Sequence, residues 1–183
     1  MFYQTVTEIV RKTDAAAVAS IFSLAPTHQE DVPVHGFPNL KVRPGKRGII
    51  LHEALAESLE GRWVDHSVWP ICAAARGWLR EQGVDCILTE VPLGTSGVRG
   101  VCDALASGGP SRQGIIEWKT CSNLPDTVLP EAVFQIGLYA NLVQSPENTW
   151  GAIGYICVQK RRIRIYYWAS LGDCAIAAKR FAA

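Results

Sequence analysis

Three strand patterns follow one another between residues 85 and 121, and they limit the folds open to this chain. "DCILTEVPL" (Asp85–Leu93), "GVRGVCDALA" (Gly97–Ala106) and "GIIEWKTC" (Gly114–Cys121) are rich in β-branched and apolar residues, and the turn "SGGPSRQ" separates the last two. Helical patterns precede and follow this block. The order predicts an α/β (α+β) fold, in which helices flank a mixed central sheet.

The remaining elements follow from periodicity and from proline and glycine. Helices are predicted at Gly48–Gly61, Pro70–Gln82 and Leu129–Val143. After the last of these, "WGAIGYICVQ" and "RIRIYYWA" should form a hairpin around Lys160–Arg161, and "LGDCAIAAKRFAA" a closing helix. A length of 183 residues suits one domain. We expect residues 1–47 to form an N-terminal helix and an arm containing four prolines, and residues 48–183 to form the core.

Composition narrows the class of protein. Hydrophobic residues make up 48% and charged residues 19% of the chain, as in globular domains. The net charge of +1 leaves no overall basic excess, so any contact with nucleic acid must be local. None of the six cysteines stands in a C-x-x-C pair, so we expect no iron–sulfur cluster. Several lie inside predicted strands, as buried free thiols do, so we expect an intracellular, reducing, cytoplasmic location. Neither a membrane span nor a signal peptide is predicted.

Charged side chains interrupt the second and third strand patterns. Strand alternation places Glu117 and Lys119 on the face opposite Trp118. A surface ion pair is one explanation. However, Asp103 lies among valine, cysteine and alanine, where a lone carboxylate is costly unless it is paired or binds a cation. A short turn joins the two strands, so Asp103 and Glu117 should converge, and a divalent cation would relieve their repulsion.

Asp103 followed by Glu117-Trp118-Lys119 resembles the signature of the PD-(D/E)xK nucleases. The fuller "VRGVCDALA…GIIEWKT" is similar to the RecB-like and lambda-exonuclease-like branch of that superfamily. Many members of the branch have Asp at the position of Glu117, and the signature allows both. The resemblance covers Gly48 to Tyr139 by motif, and the following hairpin and helix by architecture. It implies a restriction-endonuclease-like αβββαβ core.

Two further motifs of the same branch have counterparts here. Gly48 and His52 match G-x-x-x-H, whose histidine is a metal ligand in the family, although a hydrogen-bonded core histidine is the alternative. Gln135 and Tyr139 match Q-x-x-x-Y and share one helix face, being four residues apart, although an exposed glutamine and a core tyrosine are the alternative. In the family these side chains border the active site and contact the substrate backbone. Glu90 is a further candidate ligand, and a solvent-facing glutamate is the alternative for it.

The resemblance implies hydrolysis of phosphodiester bonds in DNA with Mg²⁺ or Mn²⁺ as cofactor. The expected catalytic residues are Asp103, Glu117 and Lys119. The expected metal ligands are His52, Asp103, Glu117, the backbone carbonyl of Trp118 and Glu90. The expected substrate-binding residues are Gln135, Tyr139, Lys41, Arg43, Lys46, Arg47, Lys160, Arg161 and Arg162.

Three functional hypotheses remain open from the sequence. The first is an exonuclease in DNA recombination, repair or phage and mobile-element DNA processing, bacterial or phage-encoded. The second is an endonuclease of the same fold, either restriction-like or cutting junctions or flaps. The third is a DNA-binding domain without catalysis. Besides DNA, the partners expected are a second copy of the chain or a recombination protein.

Overall fold

Helices lie on both faces of one mixed sheet in this computed structural model, which describes residues 4–14, 18, 24–36, 40, 42–95 and 97–182. The strands are β1 (Gln4–Thr5), β2 (His28–Pro33), β3 (Val84–Gly94), β4 (Val98–Gly108), β5 (Gln113–Thr120), β6 (Thr149–Cys157) and β7 (Arg162–Trp168). The helices are α1 (Val6–Lys12), α2 (Pro44–Leu59), α3 (Trp69–Glu81), α4 (Pro130–Ala140) and α5 (Gly172–Ala182). Within these residues, no helix is both long and apolar enough to cross a bilayer.

The sheet mixes antiparallel and parallel pairs. Its order is β1-β4-β5-β6-β7-β2, and β3 pairs with β4 outside this path. The three consecutive strands β3, β4 and β5 pair in antiparallel fashion, as expected from their short connections. α4 then carries the chain across the sheet, so β6 runs parallel to β5. The predicted hairpin is confirmed as β6 and β7, which pair antiparallel.

Each face of the sheet has its own apolar layer. α1, α4 and α5 bury one face, with Phe134 and Ile136 fully enclosed. α2 and α3 bury the other, with Leu55 and Trp78 in the layer. Because the sheet is covered on both sides, its central strands carry apolar residues on both faces. Every residue of β6 is buried, for example, as expected of a strand enclosed on both faces.

The N-terminal part departs from the expected helix and arm. α1 begins after Thr5, whose side chain forms a reciprocal capping box with Glu8. Residues 15–17 and 19–22 of the helix expected over residues 6–22 lie outside the described residues. The proline-containing arm expected within residues 1–47 is not irregular throughout, because β2 extends the sheet by pairing with β7. α2 begins at Pro44, so a division after residue 47 would cut this helix.

A half-buried ion pair holds β2 in the sheet. The Arg164 guanidinium donates to both carboxylate oxygens of Asp31, at 2.6 and 2.9 Å. Hydrogen bonding from Arg164 holds the pKa of Asp31 below its usual value, in spite of partial desolvation. Arg164 also donates to the Pro125 carbonyl at 3.0 Å, so it fixes the loop that follows β5 as well. The prolines of the segment misled the prediction, since Pro33 closes the strand at the sheet edge, where proline is tolerated.

We expect Arg164→Ala to lower the free energy of unfolding by about 2 kcal/mol, because the half-buried Asp31 carboxylate loses its two shorter hydrogen bonds and keeps only the longer contact with Arg162. Arg162→Ala is the matched control. Arg162 contacts the same carboxylate at 3.4 Å, but its side chain is 56% exposed. Its loss should cost about 0–1 kcal/mol. Urea unfolding of both variants measures the difference, and equal losses would contradict the role given to Arg164.

Candidate active site

The site begins where β4 and β5 separate. Their ladder runs from Ser107 and Gln113 to Ala104 and Ile116. Beyond this point, the backbone N–H of Trp118 donates to Oδ2 of Asp103 at 2.7 Å. The Asp103 side chain therefore takes the place of a ladder acceptor and lies between the two strands.

The regular alternation of β4 side chains between the two faces of the sheet is broken at Asp103. Cys102 packs in the layer of α1, α4 and α5, whereas Ala104, two residues later, packs in the layer of α2 and α3. A regular strand would place both side chains on one face. Glu90, which lies across from Asp103 in the ladder, has a φ of 50°. Positive φ is uncommon for a residue with a side chain and is found preferentially at functional sites.

Glu90 interacts electrostatically with the Asp103 carboxylate. Partial burial and the charge of Asp103 raise its pKa above the usual value. The Glu90 side chain is nevertheless exposed. It therefore lies beside the acidic cluster while facing solvent, so both the ligand and the surface interpretation of this residue remain compatible with its position.

His52 reaches Asp103 from α2. Its Nδ1 lies 3.4 Å from Oδ2 of Asp103. Burial lowers the pKa of His52, but the hydrogen bond with Asp103 and the charges of Asp103 and Glu117 outweigh it, so the pKa lies above its ordinary value. Gly48, one turn earlier, permits this approach of α2. A Cβ there would lie 3.1 Å from Oγ1 of Thr120, at the end of β5.

Glu117, Lys119 and Gln135 form a closed triangle of hydrogen bonds on the α4 side of β5. The Lys119 ammonium donates to Oε1 of Glu117 at 2.8 Å and to Oε1 of Gln135 at 2.7 Å. The Gln135 amide donates to the same Glu117 oxygen at 2.6 Å. The predicted alternation of β5 is confirmed, because Trp118 packs in the opposite layer, with α2 and α3.

The Glu117 carboxylate is buried, and its other oxygen is unsatisfied. Oε2 has no hydrogen-bond partner within the described part of the chain. Burial, followed by repulsion from Asp103, raises the pKa of Glu117 to about 7, although Lys119 opposes the shift. A buried carboxylate oxygen without a partner is costly, and a bound cation would satisfy it.

Tyr139 closes the network from α4. Its hydroxyl donates to the Val101 carbonyl at 2.7 Å, and the Gln135 amide lies 3.4 Å from that hydroxyl. Burial and the charge of Glu117 raise the pKa of Tyr139, so the hydroxyl keeps its proton. Gly100 makes room for the ring, because a Cβ there would lie 2.8 Å from Cε1 of Tyr139.

The Trp118 carbonyl is directed into the same gap. In an extended strand, the N–H and C=O of one residue point towards the same edge. Since the N–H of Trp118 is directed at Asp103, its carbonyl faces β4 beyond the last ladder pair. This oxygen is therefore placed near Asp103, as the ligand hypothesis requires.

Taken together, the donors suit a hard divalent cation in chemical type. They are two carboxylates, one imidazole and one backbone carbonyl, and Mg²⁺ and Mn²⁺ favour oxygen ligands. Among the residues that the structure describes, however, no three His, Cys, Asp or Glu side chains are grouped as a metal site. In the present arrangement His52 is engaged with Asp103, and Glu117 with Lys119. The unsatisfied Oε2 of Glu117 and the mutual repulsion of the carboxylates fit a cation between them.

Two clefts lie near the carboxyl end of β5, and the first of them is lined by residues of the site. The first, of about 500 Å³, is lined by Lys119, Gln135 and Asn123 among others. The second, of about 580 Å³, is lined by Asn123, Lys160 and Arg162 among others. Asn123 belongs to both, so the basic β6–β7 turn adjoins the cleft beside Lys119. Sequence reasoning missed Asn123, although its place in a polar loop just after the E-x-K strand is a usable signal.

The remaining predicted substrate contacts are placed unevenly. Arg161 and Arg162 are exposed at the β6–β7 turn, and Arg162 also contacts Asp31. Arg43 and Lys46 are exposed at the start of α2. The other two residues of this group are Arg47, whose Nε is buried without a partner among the described residues, and Lys41, which lies outside them.

Comparison with known proteins leaves the family unassigned. No protein-family model and no curated protein matches the chain. Among solved structures, a match described as "Crystal structure of SSO0001" has 19% identity and a TM-score of 0.48, and it covers 98% of this chain and 73% of that chain. A likeness at this level is too weak to identify the fold or the reaction.

We expect Gly100→Ala to displace Tyr139 and to cost about 1–3 kcal/mol of stability, because the added methyl group overlaps the ring. Gly77→Ala is the control. Gly77 lies in α3, and apart from its chain neighbours and the nearby backbone of α3 no described atom comes within 4 Å of the position that a Cβ would take there, so alanine should leave stability unchanged or raise it. Urea unfolding gives the stabilities. A Gly100→Ala protein as stable as the wild type would show that Tyr139 is not held as described.

Proposed function

We propose that this chain is a metal-dependent DNA nuclease of the PD-(D/E)xK type, and that it acts as an exonuclease. The observation that supports the nuclease assignment most directly is the single network at the β4–β5 gap, whereas exonuclease action rests on the resemblance to the RecB-like and lambda-exonuclease-like branch. The network brings Asp103, Glu117 and Lys119 together, although 13 residues separate the two carboxylates in the chain. A surface ion pair between Glu117 and Lys119 would not explain a buried glutamate beside a second carboxylate.

The order of elements is compatible with a restriction-endonuclease-like αβββαβ core. α2 supplies His52. Strands β3, β4 and β5 form the antiparallel part of the sheet, and α4 then crosses to the parallel strand β6. α3 is inserted between α2 and β3 and packs in the same layer as α2. The proposed core therefore spans α2 to β6, and β7, β2 and β1 extend its sheet.

Asp103, Glu117, His52 and the Trp118 carbonyl would hold Mg²⁺ or Mn²⁺, and Glu90 is placed to join them. When bound, such a cation neutralises phosphate charge and lowers the pKa of a water molecule. Asp103 also has a structural role, because its carboxylate accepts a hydrogen bond from the backbone N–H of Trp118. This bond holds the two strands at the separation that the site needs.

Lys119 is positioned to contact the substrate. Its ammonium has three N–H donors, and the contacts to Glu117 and Gln135 use two of them. Its side chain is 29% exposed and lines the first cleft. The remaining donor can stabilise the charge that develops on a phosphoryl oxygen or orient the attacking water.

Basic residues around the site would supply phosphate contacts at one end of the sheet. Lys160 and Arg162 line the cleft that shares Asn123 with the site. α2 begins with basic residues, and no side-chain cap is formed at its start within the described residues. Free N–H groups at a helix start favour anions, and Lys and Arg nearby add to this preference. DNA in the cytoplasm is the proposed partner, during recombination, repair or phage DNA processing.

We expect the protein to degrade linear DNA with Mg²⁺ or Mn²⁺ and to stop when the metal is chelated. Lys119→Ala should lower the rate by about 100-fold or more, because a preorganised charge is lost. The same variant should keep its rise in melting temperature with Mn²⁺ alone, since Lys119 is no ligand. Asp103→Asn should lose both the cleavage and the rise in melting temperature.

The controls are Lys179→Ala and Asp173→Asn, which change exposed residues of α5. Both should behave as the wild type in cleavage and in the melting temperature with Mn²⁺. Cleavage that survives in Lys119→Ala or Asp103→Asn would refute the assignment of the site. DNA binding without any metal-dependent cleavage by the wild type would favour a non-catalytic DNA-binding domain.

A second comparison separates the exonuclease from the endonuclease. We expect covalently closed circular DNA to stay intact under conditions in which linear DNA of the same sequence is degraded, because an exonuclease needs an end. The readout is gel mobility over time. Rapid cutting of the closed circle would reject exonuclease action and support an endonuclease with the same site.

A further inference from the structure

Two cysteines lie opposite each other at the end of the strand that carries Lys119. The backbone N–H of Cys121 donates to the Ile156 carbonyl at 3.0 Å and continues the ladder of parallel strands β5 and β6. The last regular pair of that ladder is Thr120 with Ile156. In this register Cys121 faces Cys157 across the two strands, and both side chains lie on the same face.

Both thiols are free and close to each other. The Cys157 thiol donates to the Ser122 carbonyl at 3.2 Å, and the Cys121 thiol donates to the Ile156 carbonyl at 3.7 Å. Burial raises the pKa of Cys121 to about 11, and the neighbouring Cys157 thiol contributes to the rise. The two sulfurs are therefore near enough to interact, and the thiol form is favoured at rest.

The backbone spacing permits a bond between them. Neighbouring strands lie about 4.8 Å apart, which falls inside the range of Cα separations seen in disulfides. Cys72, Cys102 and Cys174 lie instead in α3, β4 and α5 and are buried. Cys121 alone of the free cysteines with described side chains is partly exposed, and it lines the cleft beside Lys119.

We propose that Cys121 and Cys157 are a site of reversible covalent modification by low-molecular-weight disulfides such as oxidised glutathione. The partly exposed Cys121, as its thiolate, attacks the glutathione disulfide, forms a mixed disulfide and releases one glutathione. Cys157 then loses its proton, attacks the Cys121 sulfur and releases the second glutathione. Two protein thiols are oxidised to one disulfide, and one glutathione disulfide is reduced to two thiols.

The modification acts on the cleft of the candidate site. Cys121 is two residues from Lys119, and both line the cleft with Gln135. The disulfide removes the hydrogen bonds of both thiols to backbone carbonyls and ties the end of β5 to β6. We expect the cleft wall to shift and cleavage to slow severalfold until the protein is reduced. This consequence rests on the proposed function, whereas the disulfide forms whatever reaction the site performs.

The test is incubation of the full chain with oxidised glutathione, followed by alkylation of the remaining thiols in denaturant. Two of the six thiols should be lost without bound glutathione, and peptide mass spectrometry should find Cys121 linked to Cys157 in the monomer. In the Cys157→Ser variant, the reaction should stop at the mixed disulfide between glutathione and Cys121. Cys121→Ser should lose no thiol, and the control Cys174→Ser should form the same disulfide as the wild type.

Peptide mapping of the wild type decides the proposal even if a variant does not fold. Linkage of Cys121 to any other cysteine, a bond between two chains, or retention of all six thiols would overturn it. If the disulfide forms and cleavage by the oxidised protein is unchanged, control over the cleft is overturned while the modification stands. If the wild type cleaves no DNA in either the reduced or the oxidised state, the nuclease proposal fails. The disulfide proposal is then still decided by the peptide mapping alone.

Discussion

The hydrogen bond from the Trp118 backbone to the Asp103 carboxylate is the contact on which the candidate site depends. A strand that leaves its neighbour exposes backbone N–H groups, and a buried unpaired N–H costs free energy. Here a side chain on the neighbouring strand supplies the acceptor. The strands can therefore separate without that cost, and the separation opens the space in which carboxylate oxygens and a backbone carbonyl converge. A charged acceptor also makes this bond stronger than an ordinary ladder bond.

The second carboxylate is less well satisfied than the first. Glu117 is buried, and its Oε1 accepts from both Lys119 and Gln135. Its Oε2 has no partner among the described residues, and burial together with Asp103 raises its pKa. An arrangement chosen for stability alone would satisfy this oxygen or replace the carboxylate. The positive φ of Glu90, across the ladder from Asp103, adds a backbone cost at the same place. Such costs gathered at one point of a sheet are characteristic of sites that bind a ligand.

The sequence predicted the strands well, because their period of two is a local property. It predicted the opposite facing of Glu117 and Trp118 for the same reason. It could not predict that Asp103 lies in the plane of the sheet, since this depends on where β5 leaves β4. It also missed β2, whose strand is held by Arg164, 133 residues away from Asp31 in the chain. The local sequence signals in that segment were prolines, which indicate where β2 ends and carry no information about the strand with which it pairs.

The site needs both layers of the fold. His52 reaches Asp103 from the layer of α2 and α3, whereas Gln135 and Tyr139 reach the network from α4 on the other face. Each approach passes a glycine where the helix or ring meets the sheet, Gly48 on one side and Gly100 on the other. A methyl group at Gly100 would overlap the Tyr139 ring, and one at Gly48 would crowd the Thr120 hydroxyl at the end of β5. The geometry of the carboxylates is therefore set by how closely two helices pack against opposite faces of one strand pair, so packing changes far from the charges should alter the site.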